Sequence, residues 1–253
     1  MATDSQRRML IRPLMKRRPD LAYHRQYILI RPLTHYLRGV YFCPGRHTND
    51  VQLANIMMPL FEGSHDLWLT HNKAPSFHGR FPFHYYHRDD WQEDPEGTSR
   101  KVCDLIENEA LPELAGLTTP EAVAGQPGYG SGLEGEILDP CFNGDYDEAE
   151  RVADAYVEYW RGRVEKPGAE PSITRVGGKI TRIQPVYEYF STDQVTEEHK
   201  FSDVRQWRMT YLAKLLKTDR SRIPALLHDW EEFTVNAFKL NKYWTRTPFP
   251  CEG

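Results

Sequence analysis

Apolar positions recur along this chain with two periods, and the period changes near residue 92. The first third reads as short strands. Tyr23 to Ile30 is dense in aromatic and β-branched residues and predicts one strand ending before Pro32. Tyr36 to Phe42 repeats that character, and Arg31 to His35 between them suits a hairpin loop, since Pro32 cannot donate to a central ladder. Val51 to Leu60 and Asp66 to Thr70 predict two more strands, and Phe81 to Tyr86 an edge strand marked by Pro82. Ahead of them, Ser5 to Met15 predicts a helix capped by Asp4 and kinked at Pro13.

Beyond residue 92 the spacing becomes helical. Thr98 or Ser99 is the expected cap of a helix carrying Val102, Leu105, Ile106 and Ala110. Thr119-Pro120-Glu121 signals a short helix, with proline at its first position. Residues 125–144, rich in Gly and Pro, predict a long loop. Asp145 or Asp147 opens a helix with Ala149, Val152, Ala153, Tyr156 and Trp160 on one face. Ile173 to Ile183 alternates around Gly177-Gly178, a two-residue hairpin signal. Ser202 is the expected cap of a helix carrying Trp207, Tyr211, Leu212 and Leu215. Asp219 or Ser221 opens a last helix over about 221–244, whose apolar face holds Trp230, Phe233 and Phe238.

Strands first and helices later is an α+β pattern: an antiparallel sheet in the N-terminal third, with a mainly helical C-terminal part packed on it. The expected organisation is a single α+β domain over 1–253, subdividing into a sheet-rich 1–92 and a helical 93–253. With 40% hydrophobic and 27% charged residues, the composition is that of a globular chain. No apolar run approaches the ~18 residues of a membrane helix, and the N-terminus lacks the apolar core of a secretory signal. Cys43, Cys103, Cys141 and Cys251 are scattered, as reduced thiols would be, so the expected address is cytoplasmic.

Net charge is −4, but its distribution is uneven. Residues 1–50 carry 10 Lys/Arg against 3 Asp/Glu, a net of +7, and residues 93–158 carry 3 against 17, a net of −14. Such an acidic block speaks to partners and steering fields rather than to fold, although charge runs more often serve solvation.

The short motifs fail in context. Gly130-Ser131-Gly132-Leu133-Glu134-Gly135 spells a dinucleotide-binding fingerprint, but no strand precedes it and its carboxylates would repel phosphate. His87-Arg88-Asp89 lacks the rest of a kinase signature. His78, His84 and His87, with Asp89 and Asp90, could approach a metal or serve a hydrolytic enzyme from segment 78–90. His84 and His87 would face opposite sides of a strand, however, and Arg80 and Arg88 repel a cation. The expectation is therefore no catalytic residue, no cofactor and no stoichiometric zinc or iron. Arg7, Arg8, Arg12, Lys16, Arg17 and Arg18 could meet nucleic acid, but a chain of pI about 6.2 argues against it.

Two segments carry a resemblance. Ile30 to Phe42 with Met58-Pro59-Leu60-Phe61, and Trp230 to Val235 with Thr247 to Pro250, are together similar to uncharacterised bacterial α+β proteins, some of toxin-immunity type. The resemblance implies a bacterial cytoplasmic protein that neutralises a toxin, and it carries over no catalytic residue. Joined to the acidic block, it leads to the expectation of a non-catalytic protein-binding module that occludes a basic partner. Its contact residues are expected to be Glu134, Glu136 and Asp139 in the Gly-rich segment, and Asp145, Asp147 and Glu148 at the start of the next helix. Oligomeric state is not legible from these features.

Overall fold

Alternating apolar residues build the sheet, here seen in a computed structural model that describes residues 3–44, 51–63, 85–86, 92–124, 132–161, 172–176, 179–184, 192–193, 195–202 and 205–253. Strands β1 (Leu21–His24), β2 (Tyr27–Ile30), β3 (Tyr36–Pro44), β4 (Val51–Pro59) and β5 (Tyr85–Tyr86) form one antiparallel meander in sequence order. The run Tyr23 to Ile30 is thus a hairpin rather than one strand, with His24 opposite Tyr27 and a two-residue turn at Arg25-Gln26. Arg25 adopts φ 56, the left-handed backbone such a turn demands, without the glycine or asparagine that would announce it. The strand expected at Asp66 to Thr70 lies outside the described residues. So does segment 78–90, apart from the backbone of Tyr85-Tyr86, which pairs with Gln52 and Val51 at the sheet edge.

Helices belong to both faces of this sheet. On one face Leu37, Tyr41, Ile56 and Met58 join Tyr27 and Leu29 in a core completed by Val235, Phe238 and Leu240. On the other, Arg38 donates to the carbonyls of Leu114 and Ala115 at 3.3 and 2.8 Å, and Asn55 Nδ2 donates to Glu113 at 3.0 Å. Gly39 of β3 lies close against β2: a Cβ there would stand 2.1 Å from the Ile28 carbonyl oxygen.

Helix α1 (Asp4–Arg17) begins at Thr3 rather than at Asp4, because Thr3 and Gln6 cap each other's backbone amides. Pro13 lies inside it. Helix α2 (Pro95–Leu105) is capped by Asp94 instead of Thr98 or Ser99. Both of those residues are buried, and Ser99 Oγ donates to the Leu10 carbonyl of α1 at 2.6 Å. The helix widens into a π-turn over Ile106–Ala110 just before Pro112, which lacks the N–H that the Asn108 carbonyl would need. Helices α3 (Leu111–Ala115) and α4 (Pro120–Ala124) follow, with Thr119 Oγ1 accepting from the Ala122 amide as expected of its cap.

Helix α8 (Ile223–Phe238) closes the first of two compact units, Met1–Ser131 with Leu226–Gly253; the second is Gly132–Ala225. The helix stops at Phe238, short of the expected 244, because Lys239 turns to φ 58. The Lys239 and Leu240 amides then bond back to Asn236 and Val235 in a Schellman closure. The tail is stitched to the loop before β3: Leu33 donates to Tyr243 and Thr245 to Leu33, both at 2.8 Å, with Trp244 bridging Leu33.

In the second unit, helices α5 (Gly132–Asn143) and α6 (Tyr146–Arg161) form a hairpin where a loop was expected over 125–144. Buried Ile137, Leu138, Cys141 and Phe142 form an apolar stripe that outweighs the glycines and Pro140. Gly144, at φ 83, ends α5 with its amide on Cys141 and that of Asp145 on Pro140. Strands β6 (Ser172–Val176) and β7 (Lys179–Gln184) pair antiparallel as expected, and helix α7 (Arg205–Thr218) follows the 3₁₀ turn Glu197–Phe201.

Trp230 is fully buried on α8. Gly63 approaches it with φ 65, where a Cβ would lie 2.9 Å from the indole Cγ, so the ring packs against bare backbone. Trp230→Ala is expected to lower stability by about 3–5 kcal/mol, read from the denaturant midpoint at unchanged slope. A wild-type midpoint would remove Trp230 from the centre of this packing.

Candidate functional site

The six carboxylates singled out from sequence divide by environment. Glu134, in the first turn of α5, accepts from the Tyr156 hydroxyl at 3.4 Å and stands 4.0 Å from Arg205. Burial, with Glu134 alongside, pushes the Tyr156 hydroxyl far above its ordinary value and keeps it a donor. Asp139 is half-buried, and Asp145 caps α6 by accepting from the Glu148 amide at 3.2 Å. Glu148 holds Arg151 through two hydrogen bonds of 2.7 and 2.5 Å, and this pairing draws its carboxyl below the usual range. Asp147, Glu150 and Asp154 fall on one side of α6 at helical spacing. Arg220 takes the first two at 2.7 Å each, and Lys217 takes Asp154 at 2.5 Å.

Within the second unit, cations of α7 and the turn after it therefore answer Glu134, Asp147, Glu150 and Asp154. Of the six singled out from sequence, Glu136 is exposed and has no ion pair or hydrogen bond among the described residues, and Asp145 and the outer side of Asp147 also face solvent. Asp147 keeps 88% of its side-chain surface accessible even while it pairs.

A second cluster lies in the first unit, and no sequence motif drew attention to it. Glu231 on α8 is wholly buried between two histidines. His35 Nδ1 donates to its Oε1 at 3.2 Å, and His228 Nδ1 stands 3.6 Å from its Oε2. His228 Nε2 donates to Glu252 Oε2 at 2.8 Å, and the Phe249 amide donates to the same oxygen at 2.7 Å. His35 Nε2 faces the Thr247 hydroxyl at 3.1 Å and the Pro248 carbonyl at 3.2 Å. Phe249 stacks on the His35 ring with centroids 4.1 Å apart and tilts against His228 at 4.6 Å. Local structure explains the alignment: His228 and Glu231 are three residues apart and share a helix face, and His35 sits at the mouth of β3. The available signal was a glutamate inside the apolar stripe of Leu227, Trp230 and Val235, with a histidine one turn before it.

His35 and His228 are as enclosed as the apolar core, and the row clasps the C-terminal tail against α8 and the start of β3. Burial works to raise the Glu252 carboxyl, but the Phe249 amide, His228 and Arg246 outweigh it and hold the group below the ordinary 4.5. Among the described residues no group of three or more His, Cys, Asp or Glu is disposed to hold a metal ion. His78, His84, His87, Asp89 and Asp90 lie outside those residues. All four cysteines are free thiols, and burial pushes Cys43 up to about 12, far from a reactive thiolate. No helix among the described residues is long and apolar enough to cross a membrane.

Comparison of the chain with family models, with curated proteins and with solved structures gives no match.

Glu231→Ala strips a buried carboxylate from its histidines and leaves a cavity. Thermal or denaturant unfolding is expected to show a loss of about 3–5 kcal/mol, and a change within error would reduce the row to incidental proximity. Because the folded-state pKa of Glu252 is depressed, its contribution is fully present above the ordinary glutamate value. It is lost as pH falls through the lower folded value. Glu252→Gln should flatten that acid limb of the stability–pH curve, and an unaltered limb would assign the acid sensitivity elsewhere.

Proposed function

We propose that this chain is a non-catalytic protein-binding module of immunity type, which docks a basic partner through the α5–α6 hairpin. The observation that carries this reading is the carboxylate excess of that hairpin. Residues 132–158 hold nine Asp/Glu against one Arg, and pairing with Arg205, Lys217 and Arg220 leaves Glu136, Asp145 and much of Asp147 exposed. Glu136, already in solvent, meets Arg and Lys donors without breaking an internal bond, and Asp145 and Asp147 add to the field that accelerates encounter with a cationic partner. The hairpin that presents them is ordered by its own apolar stripe and glycine closure, so docking requires no coupled folding.

The test is the association rate of a captured basic partner at two ionic strengths, compared between wild type and the Glu136→Lys/Asp147→Asn variant. Glu150 still holds Arg220 in that variant, so the fold is retained. The expected result is association slowed by about tenfold or more at low salt, with a shallower salt dependence. Equal rates at both ionic strengths would return the acidic block to simple solvation.

A further inference from the structure

The solvent side of α1 carries a second docking feature, in the other unit. One stripe of this helix, Leu10, Ile11 and Leu14, is buried. The opposite stripe runs through Ser5, Arg8, Met9, Arg12 and Met15 at spacings of three and four. With Tyr23, and with the edge of Ile11 from the buried stripe, it lines an open groove of about 400 Å³. Met9 is 47% exposed, one of three large apolar side chains so exposed among the described residues. Arg12 is exposed and has no hydrogen-bond or ion-pair partner among them, whereas Arg8 is held by Asp4 at 2.7 Å over the Tyr23 ring.

We propose that this groove receives an acidic amphipathic helix of a partner protein, with its apolar side on Met9 and Met15 and its carboxylates on Arg12. Charge selects the occupant. Of the six Lys/Arg in residues 1–18, Arg8, Arg17 and Arg18 are paired with Asp4, Glu107 and Asp20, while Arg12 and Lys16 are exposed and have no ion pair among the described residues, so an acidic segment is attracted and a basic one repelled. The methionines select protein over nucleic acid. Thioethers in a groove mould to varied apolar side chains but offer nothing to a phosphate backbone. The one aromatic face a base could stack on, that of Tyr23, is covered by the Arg8 guanidinium at 4.7 Å. The groove is open along the helix rather than enclosed, which suits a helix laid beside it more than a buried small molecule. This site is independent of the acidic hairpin and stands or falls without it.

The probe is a fluorescent synthetic helix with leucines at i, i+4 and i+7 flanked by glutamates, titrated into the full chain by anisotropy. Three comparison probes are the same peptide with its leucines changed to serine, the same peptide with its glutamates changed to lysine, and a single-stranded oligonucleotide. The acidic amphipathic peptide is expected to bind best. Arg12→Glu should weaken it by about tenfold or more, mainly at low salt, and Met9→Ser should weaken it at all salt concentrations. Both positions are solvent-exposed, and an unchanged circular-dichroism melt verifies the fold of each variant. Equal binding of the serine peptide, tighter binding of the oligonucleotide, or indifference to both substitutions would overturn the proposal.

Discussion

The sheet depends on residues from the far end of the chain. Leu37, Tyr41, Ile56 and Met58 present an apolar face that only Val235, Phe238 and Leu240 complete as a core, and Leu33 exchanges backbone hydrogen bonds with Tyr243 and Thr245. A meander of short strands with one face open to water would be marginal. The unit therefore cannot finish folding until its last segment arrives. The long loop closure this entails adds little entropy, because closure cost grows only logarithmically with length. Gly63 and Trp230 mark a close approach within it, where the left-handed turn after β4 admits the largest side chain of α8.

Burying Glu231 beside that core carries a desolvation cost of several kcal/mol for an ionised carboxylate unless its oxygens are paired. His35 pairs one oxygen at 3.2 Å; His228 stands 3.6 Å from the other, too far for a hydrogen bond but close enough to offset its charge when protonated, and each imidazole is held from its far side by the tail. The polar row therefore makes correct docking of residues 247–252 a condition for burying Glu231 at tolerable cost. An apolar residue at 231 could give comparable stability, but it would not discriminate the docked tail from a slipped one.

The α+β architecture, the strands β3 and β4 and the helical faces of α6 and α8 were legible because each rests on a periodic apolar pattern. The errors fall where a local signal competed with that pattern. Gly132, Gly135 and Pro140 suggested a loop, but Ile137, Leu138, Cys141 and Phe142 outweighed them. Arg25 entered a left-handed turn with no turn residue to announce it, and tertiary burial drew Thr98 and Ser99 inside a helix they were expected to cap. The acidic residues were visible as a block, but not their sorting into paired and free, since Arg220 and Lys217 approach from sixty or more positions away in sequence. The Glu231 row was invisible for the same reason: its members come from a loop, a helix and a terminal turn.

That sorting decides where charge can work between molecules. An acid already bound to Arg220 gives up an interaction when a partner's arginine replaces it, so its net gain is small. Glu136, exposed and without such a bond, gives up only water. The same reasoning applied to α1 separates Arg8, committed to Asp4 and Tyr23, from Arg12, which is committed to nothing described. A near-neutral total of −4 thus conceals two local excesses of opposite sign, one on α1 and one on the α5–α6 hairpin. Each lies on a helix whose buried face already fixes its position, and rigid presentation of unspent charge is what makes a surface selective for the opposite sign.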